Sequence, residues 1–416
     1  MLFSLLSLSL PLAAASALPT FQHRDTPFAA LFKRDGAIPD PNSPDFASHY
    51  PTNWKTPDPS TLPKAWLDKL NSTQLPSNNP VATASGSSGS AYNGINNGGN
   101  NPDVCSFTWG CIAPSDYFEA PNGTWLLNFD DGPTDASPRL YDFLRSNQIE
   151  KNATHFMIGS NIQTAPKTMQ EAFTQGGHIA VHTWAHPMMT TLTNEQVVGE
   201  LGWTMQIISD LTGGRIPAFW RPPYGDVDNR VRTIAKQVFG LETVVWNKDT
   251  NDWKIPTDGT TVDSVTAVMT GFITGPKSPG IVPLEHELNN DTVQVFINSY
   301  PLMKENGWTV LTAPEAYGLL WYQNAKGNDG PVASAMSVGE VQTAMGTNAS
   351  WANPTSALPS SSVVPEATAN ATVSSSADEA KKTANTQQGN KNSSAVRIGV
   401  SFFSAAILIP ALALLL

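Results

Sequence analysis

The chain has 416 residues, of which 40% are hydrophobic and 14% are charged, and its 24 Lys and Arg against 35 Asp and Glu give a formal net charge of -11. An acidic chain lacks the clustered positive charge that nucleic acids and anionic membrane surfaces attract, so we expect no nucleic-acid partner and a neutral or cationic ligand instead. The two cysteines are too few for a disulfide scaffold or a cysteine-based zinc module.

The N-terminal part is expected to lie outside the folded domain. An apolar run from Leu2 leads to Ala15-Ser16-Ala17, the pattern of a signal-peptidase site, so we expect a signal peptide over 1–17, although no Lys or Arg precedes the run. The pair Lys33-Arg34 is either a propeptide cleavage site or two solvated charges. Residues 18–104 are expected to be an extension and linker, because 74–104 is rich in Gly, Asn and Ser and has few apolar side chains to offset the entropy of ordering.

Strand-like and helix-like segments alternate over 105–325, which we expect to be the folded domain. Short apolar runs predict buried strands at 125–129, 153–158, 178–181, 218–221, 242–246, 280–284 and 308–311. Amphipathic segments between them predict helices at 137–147, 166–176, 194–212, 228–239, 261–274 and 291–306. This alternation predicts an α/β fold with about seven parallel strands, which suits a distorted (β/α) barrel better than an open sheet.

The C-terminal part is expected to be a stalk and a lipid-anchor signal. Residues 326–394 are taken as the stalk, because the chain from about 346 is rich in Ser, Thr, Ala and Pro. Residues 402–416 are apolar but shorter than the roughly 20 residues of a stable membrane span. Small residues at 392–394 predict GPI attachment at Asn392 or Ser393, with 395–416 removed. Asn-x-Ser/Thr triplets predict N-glycosylation at Asn71, Asn122, Asn152, Asn290, Asn348 and Asn370.

Two adjacent carboxylates, Asp130 and Asp131, follow the first predicted strand. In barrels of this kind the catalytic groups lie at the carboxyl ends of the strands. Adjacent residues of an extended chain point in different directions, so one carboxylate could ligate a metal while the other accepts a proton. The same Asp-Asp-Gly-Pro segment is also typical of a surface turn.

Two histidines, His182 and His186, follow the third predicted strand. Imidazoles four residues apart can converge on one Zn²⁺ at about 2.0–2.1 Å each, and a carboxylate as third ligand leaves a position open for water. Histidines at this spacing also occur without a metal. Asp131 at another strand end favours a metal site built from these three residues.

Further polar residues follow the later strands. Arg221 precedes Pro-Pro-Tyr-Gly, Asp252 and Trp253 follow the fifth strand, and His286 ends the sixth. Each has a structural alternative, such as a surface ion pair for Arg221 and a hydrogen-bonded core position for His286. His155 and His178 lie in predicted strands and are assigned such structural roles.

Together these segments resemble the motifs of the polysaccharide deacetylases with a NodB-type domain, which form carbohydrate esterase family 4. They occur in order as Asn128-Phe129-Asp130-Asp131-Gly132-Pro133, His182-Thr-Trp-Ala-His186, Arg221-Pro222-Pro223-Tyr224-Gly225, Asp249-Thr-Asn-Asp252-Trp253 and Leu284-Glu285-His286. The chain departs from the family pattern at Asn128, where Thr is usual, and at Glu287, where Asp is usual. With its predicted signal peptide, stalk and lipid-anchor signal, it resembles the fungal GPI-anchored chitin deacetylases.

The resemblance implies hydrolysis of the N-acetyl groups of chitin or its oligomers, giving chitosan and acetate. It implies Zn²⁺, with Co²⁺ as an alternative, held by Asp131, His182 and His186. It also implies that Asp130 is the general base, oriented by Arg221, and that His286 is the general acid, oriented by Asp252. The implied substrate-binding residues are Tyr224, whose backbone N–H would face the oxyanion, and Trp253 and Leu284, which would line the acetyl pocket.

Two other functions stay open, a deacetylase of another acetylated glycan and a catalytically inactive glycan-binding wall protein. The chain fills every catalytic position of the family motifs, which argues against an inactive protein. We expect a monomer at the outer leaflet of the plasma membrane and the cell wall, attached by a GPI lipid. In that oxidising compartment Cys105 and Cys111 are expected to form a disulfide that closes a short loop.

Overall fold

The computed structural model describes residues 27–32, 37–86 and 89–332. The predicted signal peptide over 1–17, Lys33-Arg34, the stalk beyond 332 and the tail over 395–416 lie outside these residues. So do the predicted modification sites Asn348, Asn370, Asn392 and Ser393. In the described part, no helix is long and apolar enough to span a bilayer.

Short strands alternate with helices along most of the described chain. The strands are β1 (Thr83–Ser85), β2 (Gly89–Ala91), β3 (Thr124–Leu126), β4 (Asn128–Gly132), β5 (Thr154–Met157), β6 (His178–Val181), β7 (Phe219–Trp220), β8 (Glu242–Thr243), β9 (Lys248–Asp249), β10 (Pro283–Leu284) and β11 (Thr309–Leu311). The helices are α1 (Lys64–Asn71), α2 (Ser137–Ser146), α3 (Gly159–Thr164), α4 (Pro166–Gln175), α5 (Asn194–Leu211), α6 (Asn229–Thr233), α7 (Val262–Thr274), α8 (Asn290–Glu305) and α9 (Ala313–Ala316). A π-helical turn, Ile234–Val238, continues α6.

The central sheet is parallel and pairs its strands in the order β4-β5-β6-β7-β8. Two shorter parallel pairs, β3 with β11 and β9 with β10, lie beside it. Backbone hydrogen bonds join these sheets. The N–H of Asp130 in β4 donates to the carbonyl of Glu285 after β10 at 2.9 Å, and the N–H of Leu126 in β3 donates to the carbonyl of Ile281 before β10 at 2.9 Å. The predicted α/β fold with parallel strands is confirmed. The described strands form several short sheets and not one closed sheet.

The three longest strands of the central sheet, β4, β5 and β6, are buried on both faces. All residues of β4, β5 and β6 are buried, as expected where helices cover a parallel sheet. The longest helix, α5, begins with a capping box in which Thr193 and Gln196 each bind the other's backbone N–H. Almost every residue of α5 after its first turn is buried, so its outer face is covered by other parts of the chain.

The covering segment comes from residues that were expected to be an extension and linker. Trp66 of α1 is fully buried and packs edge-on against Trp203 of α5 and Phe239, with ring centroids 5.5 and 5.7 Å apart. Gly202 permits this approach, because a Cβ there would lie 2.5 Å from the Trp66 ring. Apolar side chains between Phe32 and Leu70 therefore belong to the same core as α5. In the Gly-, Asn- and Ser-rich part, Ala82, Tyr92 and Val104 form a small cluster of their own.

Polar contacts also fix the two ends of the folded region. The Tyr92 hydroxyl donates to Asp228 at 3.1 Å, which ties the Asn- and Gly-rich segment to the barrel. After 325, the Arg215 guanidinium donates to the carbonyls of Gly327, Asn328 and Gly330 at 3.0, 2.6 and 2.9 Å. Ordered packing thus extends a few residues past the expected end of the domain.

Candidate metal and catalytic site

A bulge at the end of β4 turns Asp131 toward the barrel mouth. The register with β5 shifts between Asp130 and Gly132, and Asp131 adopts a left-handed backbone with φ of 72°. Such a bulge changes the direction of a side chain that in a regular strand would point to the face opposite its neighbours' side chains. The Asp131 Oδ1 atom comes to lie 3.3 Å from the Nε2 atoms of both His182 and His186.

The three side chains fit a metal ion. Their candidate ligand atoms all lie within 4.8 Å of one another. Tetrahedral bonds of about 2.0–2.1 Å place neighbouring ligand atoms about 3.3–3.4 Å apart, and the carboxylate-to-imidazole distances of 3.3 Å match that spacing. The Asp131 Oδ1 atom is buried without a hydrogen-bond partner among the described residues, which suits an atom that binds a cation.

The histidine loop is oriented by groups around it. The Nδ1 atom of His182 lies 2.7 Å from the carbonyl oxygen of Arg221, so Nδ1–H donates there and Nε2 is left to ligate. Buried Glu200 of α5 accepts hydrogen bonds from the backbone N–H groups of Trp184 and Ala185 at 2.7 and 2.8 Å. Glu200 thus fixes the loop between the two histidines, a contact that the sequence did not predict.

Asp130 forms a buried pair with Arg221 beside the three candidate ligands. The guanidinium donates from Nη1 to Asp130 at 2.9 Å and from Nη2 to the Asn128 side-chain oxygen at 2.7 Å. The Asn128 amide in turn donates to the carbonyl of Pro283 at 3.1 Å. Burial raises the pKa of Asp130, although the positive charge of Arg221 opposes that rise. A raised pKa makes the carboxylate a better proton acceptor.

His286 and Asp252 form a second buried pair at the mouth. The His286 Nδ1 atom lies 2.7 Å from Asp252 Oδ1, and the His286 backbone N–H donates to Oδ2 at 2.8 Å. Burial alone would lower the pKa of His286, but the carboxylate of Asp252, and after it those of Asp131 and Asp130, raise it to about 10. This direction favours the imidazolium, which is the form that can donate a proton.

One member of each pair lies beside one member of the other. The backbones of Asp130 and His286 face each other in a parallel bridge, since Asp130 N–H donates to Glu285 and Glu287 N–H donates to Asp130 at 2.9 and 3.0 Å. The remaining predicted residues line the same end: Tyr224 is 45% exposed and packs on the His186 ring at 4.7 Å between centroids, whereas Trp253 is 38% exposed. Leu284 is buried in β10.

A further buried pair lies behind the carboxylates. Glu287 is fully buried, and its Oε1 atom lies 2.9 Å from Nδ1 of His155. A Cβ at Gly132 would overlap the Glu287 carboxylate, so the glycine makes room for this longer side chain. The structural roles assigned to His155 and His178 agree with the contacts, because His178 is buried with Nε2 3.0 Å from the Trp321 carbonyl.

The structure joins Cys105 and Cys111 in a disulfide. Among the glycosylation candidates that the structure describes, Asn71, Asn122 and Asn290 are exposed. Asn152 is half-buried, and its amide nitrogen donates to the carbonyl of Val310 at 3.0 Å. Asn152 is therefore the least accessible of these four acceptors.

Several known proteins are similar to this chain. A model of the polysaccharide deacetylase family matches residues 119–244. Chitin deacetylase 3 of Cryptococcus neoformans var. neoformans serotype D is 51% identical over 355 residues, which are 83% of this chain and 85% of that protein. Chitin deacetylase 2 of Cryptococcus neoformans var. grubii serotype A is 39% identical over 277 residues, or 62% of this chain and 59% of that protein. The solved chitin deacetylase of Colletotrichum lindemuthianum is 22% identical, covers 51% of this chain and 96% of its own, and has a TM-score of 0.46.

Proposed function

Because this chain belongs to the polysaccharide deacetylase family, we propose that it hydrolyses the N-acetyl groups of chitin or chitin oligomers, releasing acetate and leaving chitosan. The observation that carries this proposal is the arrangement at the barrel mouth. Three candidate metal ligands, whose atoms lie within 4.8 Å of one another, lie beside a carboxylate paired with arginine and an imidazole paired with a carboxylate. These groups match the needs of amide hydrolysis, which are a base, an acid and stabilisation of the developing oxyanion.

Asp131, His182 and His186 would hold a divalent ion, which we propose to be Zn²⁺, with Co²⁺ as an alternative. Nitrogen and oxygen ligands at this spacing suit Zn²⁺, and three protein ligands leave a position open for water or substrate. When bound, such an ion acts as a Lewis acid that activates water and polarises the acetyl carbonyl.

The chain's own residues would move the protons. Asp130 accepts the proton of the attacking water, and Arg221 holds the carboxylate in position for that transfer. As the bond between the acetyl carbon and the nitrogen breaks, His286 protonates the nitrogen, which departs as the free amine. Asp252 orients His286 and keeps it protonated until this step. An amine leaves poorly without a proton, so this acid matters most for amide substrates.

Substrate binding would use the residues around this centre. The backbone N–H of Tyr224 is proposed as a donor to the oxyanion, since the residue lies against His186. Trp253 follows Asp252 in the sequence, and Leu284 lies two residues before His286. We propose that both side chains enclose the acetyl methyl group. Because Trp253 is 38% exposed, it can also contact the sugar.

We also propose that the enzyme acts at the cell surface. Support comes from the small residues around Asn392 and Ser393, which precede a short spacer and the apolar run over 402–416. Phosphatidylinositol-specific phospholipase should then release the protein from membranes. Recovery of membrane-bound protein that still contains 402–416 would contradict the anchor.

Metal content separates the proposed base from the proposed ligands. Asp130→Asn keeps the shape of the site but removes the proton acceptor, so it should retain metal and lose most turnover on chitin oligomers. His182→Ala removes a ligand, so metal and turnover should fall together. Atomic emission on the purified variants measures the metal. Loss of metal from Asp130→Asn with retention in His182→Ala would show that the roles are wrongly assigned.

A further inference from the structure

The disulfide-closed loop near the site exposes an aromatic side chain that the proposed chemistry does not use. Trp109 lies between Cys105 and Cys111 and is 42% exposed. An exposed apolar side chain is not by itself a site, since much of any protein surface is apolar. Trp109 is in addition held in one orientation by the backbone around it, and its loop adjoins a turn of the metal site.

The indole of Trp109 is held on one side by the backbone. Its Nε1–H donates to the carbonyl of Ser90 at 2.9 Å. One ring face packs on Gly98 and Gly99, because a Cβ at 98 would lie 2.9 Å from the six-membered ring and a Cβ at 99 would overlap the five-membered ring. With that face covered, the exposed area belongs to the opposite face and the edge.

The loop itself is fixed to the barrel. The Phe107 backbone N–H donates to the carbonyl of Val227 at 3.0 Å, and its ring packs edge-on against Trp246 at 5.2 Å between centroids. Arg232 donates to the carbonyl of Cys105 and pairs with Asp116, with its Nε atom 2.7 Å from Oδ1. A ring presented by such a loop loses little conformational entropy when it binds a ligand.

Phe107 connects this loop to the rim of the metal site. The turn Phe107–Trp109 packs against the turn Pro223–Gly225, where a Cβ at Gly225 would lie 2.7 Å from the Phe107 ring. Tyr224 belongs to that second turn and packs on the ring of His186. Two exposed aromatic residues, Tyr224 and Trp109, therefore lie on adjoining turns, and the first of them contacts the metal site.

We propose that Trp109 is a distal subsite that stacks on an N-acetylglucosamine unit of the bound chain, away from the unit that is deacetylated. This inference rests on the proposed function. The pyranose ring of a β-linked N-acetylglucosamine unit offers apolar C–H faces while its polar groups point outward from the ring edge. An exposed indole therefore covers apolar area without removing hydroxyl groups from water. The neutral polymer also suits a chain with a net charge of -11.

The dependence of activity on chain length tests this subsite. We expect Trp109→Ala to lower kcat/KM for acetate release from the N-acetylglucosamine hexamer by about tenfold, mainly through KM. A distal subsite lies beyond the reach of the dimer, so release from the dimer should stay within about twofold. Trp109→Phe keeps an aromatic face and should recover most of the loss. Equal losses on dimer and hexamer, or no loss on the hexamer, would overturn the proposal.

Controls separate the subsite from folding and from the proposed function. Val268→Ala removes an exposed apolar side chain of α7 that is 38% exposed, and it should change neither rate. If Trp109→Ala does not fold, Trp109→Leu replaces it, because leucine fills volume without a flat ring. If the wild type releases no acetate from either oligomer, the proposed function fails. Calorimetric binding of the hexamer then tests the subsite, with about tenfold weaker binding expected for the variant.

Discussion

Replacing Asp252 by asparagine tests the proposed acid through its pKa. Although burial lowers the pKa of His286, the carboxylate of Asp252 above all, together with those of Asp131 and Asp130, raises it from the ordinary 6.5 to about 10. At about 1.4 kcal/mol per pH unit, that rise amounts to about 5 kcal/mol in favour of the imidazolium. In Asp252→Asn the nearest carboxylate charge is gone and burial remains, so the pKa of His286 should fall toward its ordinary value.

The sign of the pH effect follows from the role of an acid. A general acid acts in its protonated form, so its contribution is present below its pKa and is lost as pH rises through it. In the variant, a pKa of 6.5 would leave about 3% of His286 protonated at pH 8, so the rate on chitin oligomers should fall about thirtyfold there. At pH 5.5 most of the imidazole would be protonated in the variant as well, so its rate should fall much less below that of the wild type.

The assay is the pH dependence of acetate release from a chitin oligomer, measured beside hydrolysis of nitrophenyl acetate. The phenolate of the ester leaves without a proton, so its rate should change far less. Asp263→Asn is the matched control, because Asp263 is an exposed carboxylate on α7. An alkaline limb at the same pH as in the wild type, or equal losses on amide and ester at every pH, would refute the reasoning.

Three further changes have defined outcomes. His286→Ala should retain metal yet lose turnover on chitin oligomers far more than on nitrophenyl acetate; metal analysis and the two rates check this. Trp66→Ala should lower the free energy of unfolding by about 3–5 kcal/mol in a denaturant titration, because a fully buried indole is removed. The control Trp54→Ala changes a residue that is 53% exposed, so it should change the free energy of unfolding by less than about 0.5 kcal/mol. Cys105→Ser should cost about 2–3 kcal/mol, since the disulfide closes a short loop, and two free thiols in the unreduced wild-type protein would contradict that pairing.

The strands and helices of the barrel were largely predictable from sequence periodicity. The predicted strand over 178–181 coincides with β6, and the predicted helix over 194–212 ends one residue beyond α5. These segments are long or continuously apolar, so their pattern identifies them. Because parallel strands bring their carboxyl ends to one edge, the motif residues after different strands were expected to meet, and Asp131 does lie against His182 and His186.

Other features depend on contacts that a sequence pattern does not contain. The packing of Trp66 depends on the absence of a side chain at Gly202, more than a hundred residues away. Glu200 supports the histidine loop because it lies on the face of α5 that is turned toward that loop. The bulge at Asp131 depends on the pairing of β4 with β5. Composition marked residues 74–104 as low in apolar side chains, and the contacts of this segment, such as the hydrogen bond from Tyr92 to Asp228, depend on tertiary packing.

The most direct test of the proposed activity measures acetate and newly formed amine together. The purified protein is incubated with the N-acetylglucosamine hexamer and, separately, with acetylated xylan, and Asp130→Asn is run as the inactive control. We predict that acetate and glucosamine amine appear in equal amounts from the chitin hexamer, and that the control produces neither. Binding of the hexamer without acetate release, or acetate from acetylated xylan alone, would contradict a chitin deacetylase.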